Sequence, residues 1–307
     1  MLDPRLVEQI ASALGAVPGL VEKDWHVVRA IRVLAALDHG EARPVFSGGT
    51  SLSIGWGLIK RFSEDIDFKI IAPAAATSAA ARTQRRAYRE KVIAALSSAE
   101  FQLVNDPQVG NESRYFFADF AYPTQFNPEP GLRAHLRLEM TFDSPALSPV
   151  ARPIQSIVSR AQKSPPEVPA FDCVDPVETA ANKLSALAWR VCVRERGAQG
   201  DDPTIIRHLH DLAALEQYAN SAPAFMGVLR DSLAVDSGRG GGRAPQDPIE
   251  RINRMLELLG ADSLWAREYD EFVRNVSFAS PDEVISFSKA LGAVRRLADQ
   301  STKDTRR

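Results

Sequence analysis

Apolar residues recur along this chain with two periods, and the change of period organises it. Residues 4–14 and 20–37 read as helices; in the second, Val27, Val28, Ile31, Leu34 and Ala35 form one apolar stripe. Residues 44–46 read as a short strand. In Asp65-Ile66-Asp67-Phe68-Lys69-Ile70 the period is two, so Asp65 and Asp67 share one strand face and Ile66, Phe68 and Ile70 the other. A basic helix is predicted over 82–99 and strands over 101–104 and 113–122. Pro123, Pro128 and Pro130 then mark a loop to Gly131. The cleanest alternation follows at 135–142, with Leu136, Leu138, Met140 and Phe142 opposite Arg137, Glu139 and Thr141.

The Pro- and Ser-rich passage 145–169, with a short strand predicted near 153–158, carries the expected domain boundary. Past it the pattern is helical. Asp175-Pro176-Val177-Glu178 places an N-cap, a first-position proline and a first-turn acid in succession. Asp202-Pro203 repeats the device. Helices are predicted from 175 to 193, after 203 to 218, and over 248–259, 263–275 and 281–300. Lys183 and Arg190, seven residues apart, fall on nearly one face. Arg207 and Asp211, one turn apart, have the spacing of a surface ion pair. The expected fold is therefore α+β: a first domain over 1–160, a mainly helical domain over 161–300, and a disordered tail at 301–307.

The chain has 307 residues, 45% hydrophobic and 25% charged, with a net charge of −2, which is the balance of a globular protein with ample core. That charge does not announce a nucleic-acid binder, although local basic patches matter more than the total. Cys173 and Cys192 make neither a disulfide framework nor a zinc knuckle, which suits a reducing cytoplasm. No signal-peptide pattern opens the sequence, and no apolar run approaches the ~20 residues of a membrane span.

Candidate chemistry gathers around Phe46-Ser47-Gly48-Gly49-Thr50-Ser51. Two glycines permit a tight turn and close ligand approach, and Thr50 and Ser51 stand at an expected helix start that favours phosphate. Asp65 and Asp67 project together, as ligands of hard divalent cations do. Glu139 supplies a third carboxylate if its strand lies beside theirs; pairing with Arg137 is the equal alternative. A phosphate cradle beside metal-binding carboxylates is the working part of a phosphoryl or nucleotidyl transferase. Arg82, Arg85, Arg86, Arg89 and Lys91, spread over more than half of their helix, are either a solvated face or a surface that steers RNA phosphates.

The run Gly48-Gly49-Thr50-Ser51-Leu52, then Lys60-Arg61-Phe62-Ser63-Glu64-Asp65-Ile66-Asp67-Phe68, with Glu22-Lys23-Asp24-Trp25 upstream, resembles the AbiEii/AbiGii-type toxins of the DNA polymerase β-like nucleotidyltransferase superfamily. Glu178 to Arg190 is similar to that family's second motif, and Arg207 to Leu212 to its last, with His208 where the family usually has an acid. The resemblance implies a nucleotidyltransferase-like mixed sheet flanked by helices, with a C-terminal helical bundle. It implies catalytic roles for Asp65, Asp67, Lys183 and Asp211, and metal binding by Asp65, Asp67 and Glu139. Gly48, Gly49, Thr50, Ser51, Arg61, Lys183 and Arg190 would bind the nucleotide. It further implies Mg²⁺, with Mn²⁺ as alternative, a nucleoside triphosphate substrate, a tRNA 3′ end as acceptor, arrested translation and a cognate antitoxin. Transfer to a protein or small molecule is one alternative, and a catalytically silent binder of RNA or protein is another.

Overall fold

The side chains of Asp3, Asp175, Asp202 and Asp247 cap four helical segments where the sequence predicts their starts. The computed structural model describes residues 2–126 and 133–304, the last four as backbone. The loop predicted to run to Gly131 lies, past residue 126, outside the described residues, as does the tail beyond 304. The chain divides into two compact units between Val174 and Asp175.

The first unit holds α1 (Pro4–Leu14), α2 (Pro18–Ala35), β1 (Arg43–Ser47) and α3 (Gly48–Thr50), which continues as a π-helical turn, Ser51–Gly55. Then follow β2 (Asp65–Ile71), α4 (Ser78–Ser98), β3 (Gln102–Leu103), β4 (Gln108–Gly110), β5 (Tyr115–Ala121), β6 (Leu136–Thr141), β7 (Val150–Ile154), α5 (Ile157–Ala161) and β8 (Val168–Cys173). They form one mixed sheet in the order β3-β5-β6-β2-β1-β8-β7, with β4 also on β5. At its centre β2 is antiparallel to β1 and parallel to β6. One face is apolar: Ile66, Phe68, Ile70, Phe116, Phe120, Leu136, Leu138 and Met140 pack with Val27, Ile31 and Leu34 of α2 and with Tyr88, Val92 and Leu96 of α4. The alternate residues, Asp65, Asp67, Arg137 and Glu139 among them, are half-buried on the other face.

Several boundaries differ from the expectation. α4 starts at Ser78 because Thr77 accepts a bond from Ala80 N (3.1 Å) and the alanines that follow favour helix. The strand predicted near 153–158 is β7 followed by α5. β8 was not predicted, because Pro169 argues against a strand; its register with β7 shifts between Arg152 and Ile154. Since β8 pairs with β1, the first unit extends to Val174 rather than 160.

The second unit is helical, as expected: α6 (Pro176–Val193), a 3₁₀ turn at Pro203–Ile206, α7 (Arg207–Ser221), α8 (Phe225–Val235), α9 (Pro248–Ala261), α10 (Leu264–Val276) and α11 (Phe287–Asp304). Asp175 accepts from Val177 N at 2.8 Å and Asp202 from Thr204 N at 3.0 Å, so both predicted caps form. α6 lies against α7, α8 and α9, burying Ala180, Leu184, Leu187, Ala188 and Val191. α8 was missed by the sequence reading, although Phe225, Val228, Leu229 and Leu233 bury one helical stripe. α11 starts at Phe287 rather than 281 and carries helix through 301–304, four positions of the expected disordered tail. Among the described residues no helix is long and apolar enough to cross a membrane.

Two buried groups near the start of α2 titrate in opposition. Burial pushes the Asp24 carboxyl up to about 6, against the bond it accepts from Ile157 N. Burial, with Arg29 nearby, pushes His26 down to about 4. Between about pH 4 and 6 the folded chain keeps the Asp24 proton that the unfolded chain has released, so this contribution to stability falls as pH rises. His26 does the reverse: between about 4 and 6.5 the unfolded chain gains a proton that the folded chain refuses, so its contribution rises with pH. Asp24→Asn is therefore expected to gain of order 2–3 kcal/mol on wild type between pH 4 and 6, and His26→Phe to lose a similar amount. Urea unfolding at several pH values measures both; parallel curves for variant and wild type would refute the assignment.

Candidate active site

Each unit gathers part of the residue set singled out from the sequence. In the first unit, Asp67 of β2 stands in register with Glu139 of the parallel neighbour β6 and with Ser47 of β1. The adjacency expected for Glu139 is thus present. Arg137 is engaged elsewhere, donating to both Asp119 oxygens at 2.8 and 2.9 Å. Glu139 instead accepts from the Tyr115 hydroxyl at 3.0 Å, and burial together with Glu139 pushes the Tyr115 pKa up. Asp65 accepts from the Arg133 guanidinium.

The glycine turn is built against these carboxylates. Gly48 has φ +73°, and a Cβ there would fall on the Asp67 carboxylate. A Cβ on Gly49 would lie 2.6 Å from Arg61 Nη2. Arg61 is buried beneath the turn, where its Nη1 donates to Phe62 O at 3.0 Å. The helical segment opens at Gly48, so Thr50 lies in its first turn and Ser51 at the head of the π-helical turn. Their side chains are buried, with the Thr50 hydroxyl donating to Asp65 O and the Ser51 hydroxyl to Gly48 O at 3.4 Å. These two hydroxyls tie the turn to its own backbone and to β2, which leaves backbone N–H groups as the turn's donors toward a ligand.

Gly48→Ala is expected to destabilise the protein by about 1–3 kcal/mol, combining left-handed strain with the displaced carboxylate. Gly57, at φ +65°, has nothing within 4 Å of its would-be Cβ and serves as control. Gly57→Ala should show the strain alone. Equal melting shifts for the two would refute the contact.

Three carboxylates on one sheet face, all oxygen donors, have the chemistry of a hard-cation site. The fit is one of donor type and register. Among the described residues no three or more His, Cys, Asp or Glu side chains are drawn close enough to hold a metal ion.

In the second unit, α6 and α7 bring Lys183 and Asp211 together, Nζ to Oδ2 at 2.8 Å. Asp211 is fully buried, so the expectation of a surface residue there does not hold, and its pair with Lys183 is a buried one. His210 Nδ1 lies 3.4 Å from Asp211 Oδ1. Arg190, on the same helix as Lys183, stacks near Trp189 (5.3 Å to the ring centroid), with its Nε buried and unpartnered. Both ring nitrogens of His208 are also buried and unpartnered. Burial, then Lys183, Arg207 and Arg190, holds His208 well below its usual pKa, so it stays neutral. Arg190 Nη1 also lies 3.6 Å from Asp202 Oδ2, so the cluster holds mixed charge, with one guanidinium N–H and one imidazole N–H buried without a partner.

Arg133 and Tyr115, which touch two of the three carboxylates, were not singled out from the sequence. No local signal marks them, since Tyr115 reaches Glu139 from the neighbouring strand β5 and Arg133 reaches Asp65 from the segment before β6.

The chain matches a known family. Its sequence profile, described as nucleotidyl transferase AbiEii toxin of type IV toxin–antitoxin systems, covers residues 32–293. The chain belongs to that family of nucleotidyltransferase toxins. Among solved structures it is similar to MenT4, a nucleotidyltransferase toxin from Mycobacterium tuberculosis H37Rv, at 17% identity and a TM-score of 0.57, over 98% of this chain and 99% of that one. At that identity the likeness is one of fold. No curated protein sequence matches the chain.

Proposed function

We propose that this toxin transfers a nucleoside monophosphate from a nucleoside triphosphate to the 3′ end of a tRNA in the cytoplasm, blocking translation until its cognate antitoxin intervenes. The observation that carries the reading is the register of Asp67 with Glu139, with the Gly48 turn pressed on Asp67. Asp65, Asp67 and Glu139 would hold Mg²⁺, or Mn²⁺ in its place, which supplies positive charge for the triphosphate and lowers the pKa of the acceptor hydroxyl.

In the reaction the acceptor hydroxyl oxygen forms a bond to the α-phosphorus and releases its proton to solvent, while the bond from that phosphorus to the α–β bridging oxygen breaks and pyrophosphate leaves with the electron pair. Backbone N–H groups at Gly48 and Gly49 would receive phosphate oxygens. Arg61 shapes the turn from below, and Thr50 and Ser51 fasten it. Lys183 and Arg190 would meet the triphosphate charge, with Asp211 orienting Lys183. Support for a polyanionic acceptor comes from α4, where Arg82 and Arg86 are exposed, although Arg86 is shared with Glu90.

The test is incubation with each labelled nucleoside triphosphate separately, a divalent cation and total RNA. Label on RNA 3′ ends, in the tRNA fraction, is the expected result. Label appearing in protein or in small molecules would replace the acceptor. No label in any fraction would leave a silent binder and overturn the reading.

A further inference from the structure

The second turn of α2 carries Glu22, Lys23 and Asp24 in succession, and each side chain leaves the helix to fasten another segment. Glu22 accepts from Thr124 Oγ1 at 2.5 Å and from Gln125 N at 2.9 Å. Asp24 accepts from Ile157 N at 2.7 Å. Lys23, 2% exposed, donates to Glu64 Oε2 and to Arg133 O, both at 2.8 Å. The same Glu64 oxygen accepts Arg133 N–H at 3.1 Å. Residue 133 is therefore held by both backbone groups, its carbonyl by Lys23 and its amide by Glu64. Its guanidinium goes to Asp65, the residue after Glu64.

We propose that Lys23 is a positioning residue for Asp65, acting through Glu64 and Arg133. A buried ammonium is a poor choice for stability alone, because desolvation offsets most of what the ion pair returns and an apolar side chain would pack as well. What the lysine adds is a division of charges. Glu64 and Asp65 are adjacent carboxylates, and Arg133 meets the first through its amide and the second through its guanidinium. With Lys23 on Glu64, the Arg133 guanidinium is kept for Asp65. Without it, Glu64 competes for that guanidinium, and the carboxylate at the head of β2 loses its fixed orientation.

This inference rests on the transfer role proposed for Asp65, so its test includes a readout independent of transfer. Lys23→Met, Arg133→Ala and the double variant are compared below their thermal midpoints, for transfer rate and for Mn²⁺ affinity of the nucleotide-free protein. Lys23→Met is expected to slow transfer about tenfold or more and to shift the Mn²⁺ Kd by about threefold or more in the wild-type background, and to do neither once Arg133 is alanine. Independent, multiplying effects would overturn the proposal, as would an unchanged Kd in Lys23→Met. Should Lys23→Met fail to fold, Lys23→Gln enters the same cycle with the same expectation, since a neutral amide can still meet Arg133 O but leaves the Glu64 charge unbalanced. A wild type that binds Mn²⁺ but labels nothing would refute the transfer reading, while the Mn²⁺ cycle still decides the positioning.

Discussion

Asp67→Ala is expected to lower nucleotidyl transfer by about 10³-fold while leaving the melting temperature nearly unchanged. The two effects separate because of where Asp67 sits. Its side chain is half-buried on the polar face of β2, and the apolar neighbours Ile66 and Phe68 that anchor the strand are untouched. Yet it is the acid that faces Glu139 across the parallel pair and that the Gly48 turn rests upon. Loss of its charge removes a ligand from the carboxylate set, and loss of its volume frees the turn. Asp67→Asn keeps the volume and removes the charge, so it tells the two apart. A variant retaining more than about a tenth of wild-type rate would show that Asp67 is not a member of the catalytic set.

The second large effect is on stability. Asp211→Ala is expected to cost about 3–5 kcal/mol, because Lys183 would be left buried with its 2.8 Å partner removed. Replacing both, Lys183→Met with Asp211→Leu, should recover most of that loss, since two apolar side chains need no compensation in the same space. Transfer should stay lost in the double variant if Lys183 serves the triphosphate. Denaturant unfolding measures the first effect and the labelling assay the second. Recovery of both stability and transfer would make the pair purely structural, and a loss below about 1 kcal/mol for Asp211→Ala would contradict its burial.

Much of the secondary structure was legible because its signals are local. Caps such as Asp175 and Asp202 act over three residues, and the alternations at 65–70 and 135–142 declare their own faces. The failures also have local causes. Pro169 concealed β8, and the Pro- and Ser-rich composition around it drew the boundary too early. The Glu22-Lys23-Asp24 triplet looked like an ordinary helix start, since acids are favoured there; only the chain packed around it shows that each side chain is committed elsewhere.

The sequence by itself determined the element types, the α+β class and the identity of Asp65, Asp67, Glu139, Lys183 and Asp211 as the residues to watch. The element types and the three carboxylates follow from spacing and residue chemistry along short windows, whereas Lys183 and Asp211 stand out only through the resemblance to the toxin family's motifs. The tertiary structure alone decided that Glu139 faces Asp67, that Arg133 rather than solvent meets Asp65, that the Thr50 and Ser51 hydroxyls turn inward, and that Asp211 is buried against Lys183. Each of these joins residues remote in the chain, and their pairing is set by strand register and helix packing, which no local pattern encodes.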